Sequence, residues 1–268
     1  MILKIYTEMK KYVACFYFLW NCPSFKKFSK KDGSMRWYFK SSRRYKKLSK
    51  GNNLVPITLY FPCLTDRFAS GGTAKGHYFW QDLFVAKKIY TNNPQKHVDI
   101  GSSIAGFVSH VCIYREIEVF DIRPLNSNIP NVKFVQADLM VSNQIKQNYC
   151  DSLSCLHAME HFGLGRYGDQ IDVNGHIKGM ENIYSILKTG GKFYFSVPIG
   201  KQRTEFNAHR VFSVCYLLSL FNEKYTIDSF SYVDDNGDFY ENRQLTEENV
   251  KSNFGCKFGC GIFELTKI

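Results

Sequence analysis

The sequence predicts an α/β chain built on a doubly wound, mostly parallel seven-stranded sheet with an antiparallel edge. Three observations carry this. From residue 97 onward, short β-rich runs alternate with helical patterns, the order that βαβ units produce. The run HVDIGSSIAGF at 97–107 ends a strand at a glycine and passes directly into a helical pattern. Acidic residues stand at the ends of three successive strand-like runs, at Asp99, Asp121 and Asp138.

The elements follow in order. Residues 77–92 place Phe79, Leu83, Val85, Ala86 and Ile89 near helical spacing and stop at Asn92, Asn93 and Pro94, which predicts a helix leading into the first strand. Strands are expected at 97–100, 116–120, 132–136, 151–156, 192–197, 225–233 and 261–266, the last two close enough in sequence to pair antiparallel. Helices are expected at 104–114, 175–187 and 211–221. The second of these sets Ile177, Met180, Ile183, Tyr184 and Leu187 on one face and is closed by Lys188, Thr189, Gly190 and Gly191. Turn residues crowd 51–76, so loop is expected there with one short strand at 57–61.

Charge divides the chain. Residues 1–50 hold 14 Lys or Arg against Glu8 and Asp32, a net of +12, which leaves residues 51–268 near −1. We therefore expect a basic, aromatic-rich N-terminal extension at 1–50 and one α/β domain at 51–268. A near-neutral body argues against a large nucleic-acid footprint. The extension suits an anionic membrane surface or another polyanion; the plainer alternative is a solvated segment that aids solubility. The apolar run at 12–20 is shorter than the ~20 residues a bilayer span needs.

Nine cysteines form no CxxC pair, and Cys256 and Cys260 have no histidine near them in sequence. No metal site is expected, and the usage reads as a reducing, cytoplasmic compartment.

The chemistry concentrates in five places. Gly101 follows the first strand where backbone N–H groups can approach a ligand, although Ser103 and Ala105 stand where strong versions of the loop carry glycine, and Gly106 lies one place further on. Asp121 lies 22 residues after Asp99, about the spacing at which a nucleotide-binding βαβ unit sets an acid against ribose hydroxyls; a cap or ion-pair role is the alternative. Asp138, with the N–H of Leu139, can read an adenine edge, or Asp138 can simply serve a turn. The long middle motif brings His157, Glu160 and His161 together with Arg166, Tyr167 and Asp169 on a glycine-rich loop. Either histidine can act as a base near neutral pH, and Arg166 suits a carboxylate or phosphate; a buried cluster that fixes the loop is the alternative. Asn207, His209 and Arg210 precede an apolar helix and can form a substrate lid or second base, or a helix cap.

VDIGSS, FDIRP, QADL, DSLSCLHAMEH and LKTGGKFYFSVP, in that order, resemble a class I S-adenosylmethionine-dependent methyltransferase. GHYFWQDLFVAKKI, SLSCLHAMEHFGLGRYGDQID, SVPIG, FNAHRVFS and CGIFELTK resemble, over roughly residues 75–267, one family of that fold: a domain of unknown function found in nematodes and bacteria, often beside surface-polysaccharide genes. The resemblance implies S-adenosylmethionine as cofactor, with Asp99, Gly101 and Ser102 near its methionine part, Asp121 on the ribose and Asp138 and Leu139 near the adenine. It implies His161, His157, Glu160 and His209 as candidates for catalysis and Arg166, Tyr167, Asn207 and Arg210 for a small substrate, with a sugar or nucleotide-sugar suggested by the family's context. A same-fold enzyme using the His157/Glu160/His161 cluster without methyl transfer, or a binding protein with a degenerate pocket, stays open beside it.

Overall fold

A computed structural model describes residues 34–51, 55–64, 66–142 and 144–268. The apolar run at 12–20 and most of the basic extension lie outside the described residues. The chain divides into two compact units, residues 1–73 and 74–268; the charge step at residue 50 falls inside the first.

In the first unit, helix α1 (Ser34–Leu48) ends on Lys46 and Lys47, cations suited to the negative end of a helix. The Arg67 guanidinium lies 4.2 Å over the Trp37 ring. Residues 57–61 form no strand, contrary to expectation. Pro56 and Pro62 flank the segment and supply no ladder donor; Tyr60 is buried while Leu59 and Phe61 are about half exposed.

The second unit is the sheet domain. Its strands are β1 (His97–Ile100), β2 (Ile117–Asp121), β3 (Val132–Gln136), β4 (Cys150–Leu156), β5 (Leu187–Ile199), β6 (Arg203–Glu205), β7 (His209–Val211), β8 (Tyr225–Val233), β9 (Phe239–Tyr240) and β10 (Gly259–Lys267). The main sheet runs β3-β2-β1-β4-β5-β10-β8-β9, and β6 and β7 form a separate hairpin. Strands β1 to β5 are parallel; β10 runs antiparallel between β5 and β8. The seven expected strands form this sheet, and β9 adds two residues at its edge. Strand order reverses between β1 and β4, which opens a crevice at their carboxyl ends.

Period-2 alternation explains the two layers. On β5, Phe193, Phe195 and Val197 enter one core with Met180 and Ile183 of α4 (Gly175–Ile186) and Leu217 and Phe221 of α5 (Val214–Phe221). Tyr194, between them, enters the other core with Val85, Ala86 and Ile89 of α2 (His77–Asn92).

Three boundaries depart furthest from expectation. Strand β5 begins at Leu187, so Lys188, Thr189, Gly190 and Gly191, expected to close the preceding helix, lie within it. The helix after β1 opens as a π-turn, Ile104–Val108, capped by Ser103, before one α-turn, α3, at Ser109–Val111. The helix expected from 211 starts only at Val214, because Ser213 caps it by accepting from Tyr216 N, while His209–Val211 pairs with β6 instead.

Candidate functional site

The carboxyl ends of β1, β2 and β4, with the loop after β4, enclose a cleft of about 530 Å³ counting its open mouth. Gly101, Asp121, Asp138, Leu139, His157, His161 and Tyr167 all line it. Gly101 has φ +66°, and a Cβ there would come within 3.0 Å of the Ala158 Cβ. A side chain at this point would be strained and would crowd the cleft wall. Ser103 and Ala105 do not line the cleft; the Ser103 hydroxyl accepts from Gly106 N at 3.2 Å.

Asp99 and Ser102 stand behind the loop. Both are buried. The Asp99 carboxylate accepts from the Ser102 hydroxyl (2.6 Å), the Ser102 N–H (3.1 Å) and the Ser154 hydroxyl (2.5 Å). The Ser102 oxygen accepts in turn from Leu156 N at 3.2 Å. This network ties the glycine turn to β4. Burial raises the Asp99 carboxyl from 3.8 to about 6, although its hydrogen bonds pull the other way. His97 extends the network, with Nδ1 2.8 Å from the Ser152 hydroxyl and Nε2 3.1 Å from the Ser154 hydroxyl. Because Ser154 spends its proton on Asp99, the His97 Nε2–H must donate to it.

At the β2 end, Arg123 grips Asp121: Nε donates to Oδ1 at 2.9 Å and Nη2 to Oδ2 at 2.6 Å. The same guanidinium lies 4.3 Å from the Tyr167 ring centre. Asp138 uses one oxygen to accept from Met140 N at 2.9 Å, an Asx turn that shapes the floor beside β3.

The loop after β4 begins at His157, in the left-handed region at φ +50°. Its Nδ1 lies 2.7 Å from Glu160 Oε1. Glu160 is buried beneath the cleft wall rather than lining it. Burial would raise its carboxyl, but His157 and, further off, His161 outweigh that and hold it below the usual carboxylate range. Burial likewise opposes a charged His157, yet Cys260 and Glu160 raise that imidazole. His161 Nδ1 lies 2.7 Å from Ala208 O. A carbonyl only accepts, so Nδ1 carries the proton and Nε2 keeps its lone pair. Burial is the main cause that lowers the His161 pKa, leaving a neutral ring at the cleft.

Besides Glu160, four residues expected at a substrate or in catalysis stand elsewhere. Arg210 is buried and its guanidinium donates to Phe162 O at 2.5 Å and, at 3.5 Å, to Glu160 O and Asp172 O; it staples the loop from inside. Arg166 donates to Ala208 O at 2.8 Å, and Asn207 to Leu164 O at 3.4 Å. His209 Nε2 sits 3.3 Å from Glu205 Oε2, across the β6–β7 hairpin. None of the four lines the cleft. For Arg210, Arg166 and Asn207 the reason is shared: loop carbonyls need donors, and these side chains supply them. Asp169 does line it, but its carboxylate is taken by the N–H groups of Gly163, Gly165 and Tyr167.

Sequence reasoning missed Arg123, Met140, Ala158 and Phe162, which line the cleft. Arg123 was visible in FDIRP, two places after Asp121. It also missed His77, whose ring lies parallel to that of His157 (9°, centres 5.2 Å apart).

No curated protein matches the chain in sequence. Among solved structures, the 4+2 cyclase SpnF is similar at 12% identity and TM-score 0.51, over 74% of this chain and 84% of that one. The 1,6-didemethyltoxoflavin-N1-methyltransferase of Burkholderia thailandensis, solved with its substrate and S-adenosylhomocysteine, is similar at 11% identity and TM-score 0.49, over 70% and 78%. The N-methyltransferase NodS of Bradyrhizobium japonicum, in complex with S-adenosylhomocysteine, is similar at 10% identity and TM-score 0.47, over 71% and 87%. The fold is the Rossmann-like fold of class I methyltransferases, mostly parallel with antiparallel strands toward one edge. Residues 116–255 match the model of the family described as Caenorhabditis protein of unknown function, DUF268, and the chain belongs to that family.

Proposed function

We propose that the chain is an S-adenosylmethionine-dependent methyltransferase acting on an oxygen or nitrogen of a small substrate. The observation that carries this reading is the convergence of Gly101, Asp121 and a neutral His161 on one cleft at the switch point of the sheet. The residues suit the cofactor: Gly101 lets backbone approach closely, Asp121 offers a carboxylate to ribose hydroxyls, and Asp138 with Leu139 borders the space beyond. When bound, S-adenosylmethionine supplies an electrophilic methyl group on a sulfonium. His161 would take the acceptor's proton through Nε2, and Tyr167 would border the acceptor. A sugar or nucleotide-sugar is the acceptor we favour, on the family context. The basic N-terminal residues would hold the enzyme to an anionic membrane or polyanion. No helix among the described residues is long and apolar enough to cross a membrane.

A second reading rests on Arg123, which occupies the carboxylate that a ribose requires. It is a same-fold enzyme without methyl transfer, or a binding protein. The fold admits other chemistry, as the similarity to a cyclase illustrates. Isothermal titration with S-adenosylhomocysteine separates the two. Micromolar binding that Asp121→Ala weakens tenfold or more supports methyl transfer. A folded protein that binds none favours the second reading.

A further inference from the structure

We propose that His77, His157 and Cys260 form a zinc-binding site against the wall of the cleft. The three come from distant parts of the chain: the first turn of α2, the residue that follows β4, and the second residue of β10. One ligand atom of each lies within 4.8 Å of the others. A tetrahedral zinc with N and S ligands spaces them roughly 3.5 Å apart, so side-chain movements of about 1 Å close the set. The His77 ring, parallel to that of His157, turns to bring a nitrogen to the metal; it is only half-buried at its helix start.

The second observation is His157 itself. It is 92% buried, and among the described residues its Nε2 has no hydrogen-bond partner. Its Nδ1 is held by Glu160. A carboxylate behind one ring nitrogen, with the other nitrogen free toward a metal, is the arrangement that orients metal-bound histidines. Glu160 in turn lies wholly inside, and its Oε2 also lacks a partner among the described residues. Cys260 is buried, and its sulfur's hydrogen bonds to Gln81 Oε1 and Gly261 O are long, at 3.7 and 3.9 Å.

Two imidazoles and a thiolate suit zinc rather than magnesium or calcium, which require oxygen ligands. Binding replaces the Cys260 S–H by an S–Zn bond and any Nε2 proton on His157 by an N–Zn bond, and the protons pass to solvent. Three protein ligands leave a fourth position for water or another oxygen donor. His157 is also a cleft residue, so the metal would stand beside the proposed reaction space. The site does not depend on the methyl-transfer reading.

The experiment uses the full chain, stripped with a chelator and titrated with Zn²⁺ against a competing dye, then with Co²⁺ to look for thiolate-to-metal charge transfer. We expect one metal per chain, at least tenfold weaker uptake in His77→Ala and in Cys260→Ser, and loss of the charge-transfer band in the latter. Glu160→Gln should weaken uptake by about 10- to 100-fold. If Cys260→Ser does not fold, His77→Ala, on a partly exposed residue, carries the test. A folded wild type that takes up no metal overturns the site, as does uptake undiminished in folded His77→Ala. Titrating S-adenosylhomocysteine into His77→Ala keeps this outcome separate from that of the cofactor site.

Discussion

Arg123 holds Asp121 through a two-pronged ion pair, with the shorter bond at 2.6 Å, and the guanidinium packs on Tyr167 across the cleft. The acid expected to meet a ribose is thus engaged by a side chain two residues away. Its carboxylate is mostly buried (13% exposed) while the arginine is half exposed (48%), so the arginine is the partner free to leave.

Removing that competitor should favour the ligand. An ion pair with one exposed partner is worth about 1 kcal/mol or less. Arg123→Ala is therefore expected to tighten S-adenosylhomocysteine binding by up to about fivefold, read by isothermal titration. Weaker binding would make Arg123 a ligand contact instead.

His161→Gln should lower kcat by about 10²- to 10⁴-fold, the usual worth of a positioned base, and leave the affinity for S-adenosylhomocysteine within twofold or so. The base works as a neutral ring. Burial lowers its pKa, Arg166 and His157 lower it further, and Glu160 raises it. The acid limb of kcat should accordingly lie below the ordinary imidazole pKa of about 6.5. A limb above that value would exclude His161 as the base.

Asp99 makes stability depend on pH. Its folded carboxyl titrates near 6 against an ordinary 3.8, so the folded chain binds this proton more tightly than the unfolded one. The contribution is fully present below 3.8 and is lost as pH rises through 6. It amounts to something on the order of 3 kcal/mol. Urea unfolding at pH 4 and pH 7 should show the wild type losing stability relative to Asp99→Asn across that window. The opposite slope would refute it.

Gly179 lets α4 sit on the loop that forms the cleft wall. A Cβ there would lie 2.5 Å from the Phe162 ring and 3.2 Å from Met159 Sδ. Alanine favours a helix interior by about 1 kcal/mol, but overpacking costs about 1–3 kcal/mol. Gly179→Ala should destabilise by about 1 kcal/mol and, because Phe162 lines the cleft, weaken ligand binding. Unchanged affinity would separate α4 from the site.

The strands were legible because their signal is local. VKFVQ and YTIDSFSYV carry it within five and nine residues, and the parallel order followed from the helices between them. The segment at 57–61 looked alike in composition, but the prolines at both of its ends supply no ladder donor. The β6–β7 hairpin escaped because its three-residue strands gain their ladder only from each other.

The sequence by itself determined the α/β order and the strand ends at Asp99, Asp121 and Asp138, since hydrophobic period and turn chemistry act over a few residues. Tertiary structure decided which of the polar residues face the cleft. Arg210, read as a substrate contact, turns inward because buried carbonyls of the loop demand its guanidinium. Cys260, read without a histidine nearby, meets His77 and His157 only because β10 enters the sheet beside β5. Contacts between residues 80 and 183 positions apart arise from the closure of the sheet and its layers, and no local pattern encodes them.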